Sequence, residues 1–70
     1  MTLMDAPKNV ELFIKDIRTG DEDFNAFLFT LGCYSGEPIT IIQKRWNGCI
    51  VVIKDSRYNI DKYLANLIIV

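Results

Sequence analysis

Only a few residue types in this chain could do chemistry, and their spacing limits what that chemistry could be. Gly32 and Gly36 bracket the stretch "LGCYSG" between two apolar runs. A phosphate cradle would need G-x-x-x-x-G-K-[ST] between a strand and a helix. Here Glu37 follows Gly36, with no lysine or hydroxyl in place, and the stretch follows a helix rather than opening one. Cys33 and Cys49 lie sixteen positions apart with no C-x-x-C spacing. A reactive thiolate needs a nearby cation or a helix N-terminus, and Cys33 follows the wrong end of a helix. There is no histidine, which removes the commonest metal ligand and the usual general base. Ser35 and Ser56 have no activating motif around them. Asp21, Glu22 and Asp23 could ligate a hard cation weakly, or form the acidic first turn of a helix. These residues predict neither an enzyme nor a bound cofactor, and no metal-ligand set.

Basic and aromatic residues form the remaining constellation: Lys44, Arg45, Trp46, Lys54, Arg57 and Tyr58. Aromatic platforms on small β-barrels bind single-stranded nucleic acid, but aromatics on hairpins also pair across strands for stability. Net charge is −1 and unevenly spread. Residues 1–40 carry three basic and seven acidic side chains, residues 41–70 five and two. This permits a basic face but makes a weak nucleic-acid footprint.

The elements that must position these residues follow from hydrophobic periodicity. "NVELFIKDI", Asn9 to Ile17, alternates as one strand, with Val10, Leu12 and Ile14 on one face. Phe24, Phe27, Leu28 and Leu31 recur at helical spacing and predict a stripe facing the core, with Asp21 as N-cap. Phe29 falls on the opposite side of that helix. Gly32 sits where a left-handed C-cap needs glycine, and Gly36 belongs to the turn feeding the next strand. "EPITIIQKRW" and "CIVVIK" are strands joined by Asn47 and Gly48, a pair that predicts a type I′ hairpin. Ile39 and Ile41 point one way and Ile42 the other, which a bulge would reconcile. "DSRYNI" reads as a turn and a short strand. Asp61 then caps a single helical turn, and "LIIV" closes the chain as a last strand. The expected fold is mainly β: a small antiparallel barrel of about five strands, with an inserted amphipathic helix and a short C-terminal helical turn.

Seventy residues predict a single domain spanning 1–70, stable only by a narrow margin at this size. Half the residues are hydrophobic, more than so small a domain readily buries. The excess is either scattered surface side chains or a binding patch. The first residues lack a signal peptide's features, and no apolar run is long enough to span a bilayer. With two cysteines and no disulfide framework, a cytoplasmic location without membrane insertion is expected.

The order of these motifs resembles the FeoA family. Leu31 and Gly32 ending a helix, then Gly36, then Ile39 and Ile41, are similar to that family's "LG…G…I.V" core. Arg57, Ile60, Leu64, Ala65, Ile68 and Val70 look like its closing "R…L…LA..I.V", and weaker agreement runs from Val10 to Gly20. The sequence departs from the family at Phe27, where a basic residue is frequent, and at Cys33 and Ser35, which replace an aliphatic residue and a proline. Its hairpin loop is also short. The resemblance implies an SH3-like barrel, non-enzymatic, that supports ferrous iron uptake by binding or regulating FeoB, the membrane-embedded transporter with a cytosolic GTPase domain. Weak self-association is a further expectation. Exposed aromatics beside an arginine have the composition of an interface. Phe27, Phe29 and Trp46, with Arg45 as a polar contact, are therefore the expected docking residues. The alternatives are a nucleic-acid-binding barrel using the basic hairpin, and a sensor that binds metal weakly through the acidic turn.

Overall fold

Alternating apolar residues along "ITIIQKR" and "CIVVI" need a partner layer, and the chain supplies it from both of its ends. The computed structural model describes residues 1–70. A short 3-10 turn, Leu3–Asp5, precedes β1 (Glu11–Phe13), β2 (Asp16–Ile17), α1 (Glu22–Thr30), β3 (Pro38–Arg45), β4 (Gly48–Ile53), β5 (Ser56–Asp61), α2 (Lys62–Ala65) and β6 (Ile68–Ile69). Four strands form one sheet in the order β1-β3-β4-β5, and β2 pairs with β6 in a second. All pairings are antiparallel. The fold is mainly β, with six strands where about five were expected.

The extra strand comes from splitting the first one. The Ile14 N–H donates to the Glu37 carbonyl at 2.9 Å, and the next N–H, of Lys15, donates to Ile69 at 2.7 Å. The chain thus leaves one sheet and enters the other between adjacent residues. Ile14 is buried and Leu12 half-buried, but Val10 is exposed because the strand starts only at Glu11, after Asn9 at φ 62°. The expected single face from Val10 to Ile14 therefore fails at its first position.

Ile39 and Ile41 of β3, Cys49, Val51 and Ile53 of β4, and Ile60 of β5 point into the core. The expected bulge is present. Ile41 pairs with Val51 and Gln43 with Ile50, which leaves Ile42 as the unpaired extra residue. Leu3 and Ala6 at the N-terminus are completely buried, although nothing in the pattern of residues 1–8 points to a structural role. Ile68 and Val70, from the closing motif, are buried with Ala65 on the same core.

The turn chemistry differs from expectation. Asn47 and Gly48 do mark a hairpin, but its two loop residues are Trp46 and Asn47, and Gly48 is already paired with Arg45. Asn47 keeps a negative φ, so this is not a type I′ turn. Gly48 is required by space: a Cβ there would collide with the Ile60 carbonyl oxygen of β5. Positive φ at two successive central residues, the type I′ signature, occurs instead at Lys54 and Asp55, φ 50° and 65°, between β4 and β5.

Candidate interaction surface

The helix α1 is built as its caps dictate. Asp21 Oδ1 accepts the backbone N–H groups of Asp23 and Phe24 at 3.0 and 3.2 Å. At the other end the Cys33 N–H donates to Leu28 and the Gly32 N–H to Phe29, at 2.9 and 3.0 Å. This is a complete Schellman closure with Gly32 at φ 84°, as the sequence predicts. Packing departs from the predicted stripe. Leu28 is buried, Phe24 and Leu31 are half-buried, and Phe27 is 57% exposed. A helix of nine residues meeting a narrow sheet buries one residue fully and leaves the stripe's edge open.

That edge borders an apolar groove of about 260 Å³. Phe27, Leu28 and Leu31 of α1 form one wall, Ile53, Tyr58 and Ile60 of the sheet another, and Leu64 of α2 and Cys33 complete it. Asn59 is its one non-hydrophobic lining residue. Burial pushes the Cys33 thiol up to about 11, so the groove holds a neutral thiol across the physiological range. Cys49 is also shifted upward by burial, opposed by the nearby Lys44 charge. Both cysteines are buried and free, and neither has the character of a nucleophile.

Phe29, 64% exposed, does have a partner: its ring lies 4.7 Å from that of Tyr34, tilted by 31°. Lys54 Nζ lies 5.5 Å from the Tyr34 centroid and 3.1 Å from Glu37 Oε2. Hydrogen bonding to Lys54, then to Tyr34, holds the Glu37 carboxyl below its ordinary range, and hydrogen bonding to Glu37, then to Tyr34, raises Lys54. The Lys54 stem also crosses Gly32, where a Cβ would come within 2.9 Å of Lys54 Cδ and Cε. This cluster ties the end of α1 to the β4–β5 turn. It is invisible in the sequence, because Tyr34, Glu37 and Lys54 share no periodic pattern.

Trp46 and Arg45 stand elsewhere. They occupy the β3–β4 turn, next to Gly48, whereas Phe29 and Tyr34 neighbour Lys54 at the far end of β4. Lys54 lies six positions after Gly48, about 20 Å of strand. The structure thus places Phe27 on the groove, Phe29 on a separate cluster, and Trp46 with Arg45 at the opposite end.

The basic residues do not form one stripe either. Arg45 pairs with Gly48 and Arg57 with Val52 on the same strand, about 13 Å apart, and Lys54 is engaged by Glu37. On the outer sheet face, Glu11, Glu37 and Asp55 surround Lys54 in a polar hollow of about 330 Å³. No group of three or more Cys, Asp or Glu side chains is placed to hold a metal ion. Asp21, in the acidic turn, spends its carboxylate on capping α1.

The family model for the FeoA domain matches residues 1–70. Three solved structures share the fold. Iron(II) transport protein A from Clostridium thermocellum superposes with a TM-score of 0.85 at 25% identity, covering 99% of this chain and 43% of that one. An iron uptake regulatory protein, FeoA, gives 0.84 at 20%, covering 97% and 91%. Stenotrophomonas maltophilia FeoA complexed with zinc, described as a procaryotic SH3 domain protein, gives 0.81 at 18%, covering 99% and 87%. The chain thus spans less than half the length of the Clostridium thermocellum protein. No curated protein sequence matches it. The architecture is SH3-like.

Proposed function

From the premise that this chain belongs to the FeoA family, whose domain model matches residues 1–70, we propose that it serves ferrous iron transport as a non-enzymatic accessory domain. Its partner on this reading is the cytosolic part of a FeoB-type transporter, which it binds or regulates. The family match is the observation that carries the reading. Ferrous iron is the transporter's cargo, and the chain's own role is contact. The relative from Stenotrophomonas maltophilia has been put forward as a ferrous iron transport activating factor, a role of the same kind.

The groove beside Phe27 is the surface best suited to the contact. It offers an apolar cleft, an exposed aromatic rim and little polar surface to desolvate, the make-up of an interface centre. An apolar side chain of the transporter's cytosolic part is its proposed occupant. Phe29, on the same helix, extends the contact area.

The test is the affinity of the full chain for the transporter's purified cytosolic GTPase part. Phe27→Ala is expected to cost about 1–2 kcal/mol of binding with unchanged melting, since Phe27 contributes little to the core. Equal binding by Phe27→Ala and Phe29→Ala would reject α1 as the contact. Trp46→Ala and Arg45→Gln in the same assay show whether the contact reaches the opposite end of β4.

A further inference from the structure

The β3–β4 turn and the start of α2 form one corner of the molecule. The Lys62 N–H donates to the Asn47 carbonyl at 2.8 Å, and Gly48 pairs with Asp61, so the two segments are joined as one rigid tip. The two most exposed aromatic side chains stand on it, Trp46 at 87% and Tyr63 at 71%. Neither belongs to the chain's two aromatic pairs. Arg45 precedes Trp46, Lys62 precedes Tyr63, and Lys44 is next along β3. Lys44 Nζ donates to the Met4 carbonyl at 3.2 Å, which places it beside the same tip.

Asp61 and Asp5 are the carboxylates of these same segments, and each accepts a hydrogen bond from within its own segment while keeping its charge. Asp61 Oδ1 accepts the Leu64 N–H at 2.8 Å, and Asp5 Oδ2 accepts the Thr2 hydroxyl at 3.1 Å. Lys44, Arg45 and Lys62 outnumber Asp5 and Asp61 by three to two, so the corner carries a small net positive charge around two amphipathic rings. None of Lys44, Arg45, Trp46, Lys62 or Tyr63 lines either hollow of the molecule.

We propose that this corner seats the domain on an anionic lipid surface. Trp46 and Tyr63 enter the headgroup region, and Lys44, Arg45 and Lys62 face the lipid phosphates. Tryptophan and tyrosine favour that level of a bilayer because one end of each ring system is apolar and the other wet. Lysine and arginine add attraction to an anionic leaflet. The exposure of both rings, outside either hollow, favours lipid over an acidic protein. A protein partner must supply a fitted pocket for a projecting tryptophan, while a headgroup layer accepts a tip of any shape. The contact is peripheral, as no helix is long and apolar enough to cross a membrane. Its test requires no transporter.

Trp46 is the chain's only tryptophan, so its emission reports this corner alone. Phosphatidylglycerol-containing vesicles are expected to shift the emission of the full chain to the blue, and pure phosphatidylcholine vesicles to leave it unchanged. Co-sedimentation with the anionic vesicles should weaken about fivefold in Arg45→Gln, fall further in Trp46→Ala, and decline with added salt. Circular dichroism of both variants should match the parent, since both side chains are exposed. Absence of co-sedimentation, or binding untouched by both substitutions, overturns the proposal. An equal blue shift with soluble polyglutamate would overturn it in favour of an acidic protein partner.

Discussion

Replacing glycines by alanine one at a time separates the two reasons this chain uses them: backbone conformation and space. Gly36 has φ 91° and open space where an alanine methyl would stand, with nothing within 4 Å, so only conformation resists alanine there. That cost is about 1–2 kcal/mol. Gly48 has φ 156°, and its Cβ would strike the Ile60 carbonyl oxygen and come within 2.9 Å of Asp61 Cα. Both obstacles are backbone atoms of a paired strand, and Ile60 and Cys49 behind them are core residues. Neither can yield without opening β4 from β5. Adding an overpacking cost of about 1–3 kcal/mol to the conformational one brings Gly48→Ala to roughly 2–5 kcal/mol. Gly20 has open space and no positive φ, so Gly20→Ala should be neutral or gain up to about 1 kcal/mol.

At this chain length total stability is about 4–10 kcal/mol, and each kcal/mol moves the midpoint by about 4–8 °C. Thermal unfolding followed by circular dichroism should therefore rank the variants Gly20→Ala, Gly36→Ala, Gly48→Ala. The last is expected to lose roughly 10 °C or more. A Gly48→Ala midpoint equal to that of Gly36→Ala would refute the close approach of β5 as the reason for that glycine.

The Lys54–Glu37 pair predicts a pH dependence at both extremes. The lowered Glu37 value gives stability that is present above its ordinary 4.5 and lost as pH falls through the folded value. The raised Lys54 value gives stability present below 10.5 and lost as pH rises through its folded value. Denaturant unfolding of Glu37→Gln should show a shallower acid loss than the parent, and identical acid limbs would exclude the pairing. The buried thiols predict slow alkylation. Cys33 and Cys49 should resist iodoacetamide in the native protein at neutral pH and react in denaturant, as counted by mass spectrometry. Rapid native labelling of Cys33 would show that the groove exposes its sulfur.

Local signals are legible in the sequence, and relations between distant segments are not. The α1 caps at Asp21 and Gly32, the α2 cap at Asp61 and the bulge beside Ile41 each depend on a few adjacent residues, and each is present. Val10 departs from expectation because the strand starts only at Glu11, after Asn9 at positive φ, and alternation alone does not reveal that the chain then changes sheets after Ile14. That change is set by partners more than twenty positions away, Glu37 and Ile69. Asn47 and Gly48 suggest a type I′ turn, but Gly48 answers to the backbone of β5, which no local pattern reports. Lys54 and Asp55 take the positive φ values without a glycine, because the strands on both sides hold the turn. Of the expected contact residues, exposure is legible at Phe27, Phe29 and Trp46. Their separation along β4 is not, because it depends on strand register.

The separation bears on how so small a domain uses its excess hydrophobicity. An aromatic left in water forgoes about 1.5–3 kcal/mol of burial, and polar replacements at Phe27, Trp46 and Tyr63 would leave the core untouched. Folding therefore does not account for their identity. The molecule measures 29 × 23 × 19 Å, so a spacing of about 20 Å along β4 carries the Phe29 end and the Trp46 end to opposite ends of that strand. The Phe29 end of α1 and the Trp46 end can therefore be occupied at the same time. On the proposed reading, α1 meets the transporter's cytosolic part while the tryptophan corner rests on the adjoining lipid. The second contact would then raise the effective concentration of the first. Binding of the full chain to transporter reconstituted in anionic vesicles should accordingly exceed its binding to the isolated cytosolic part. Trp46→Ala should erase that excess and leave the soluble interaction intact. Equal affinity in both settings would mean that the two ends do not act together.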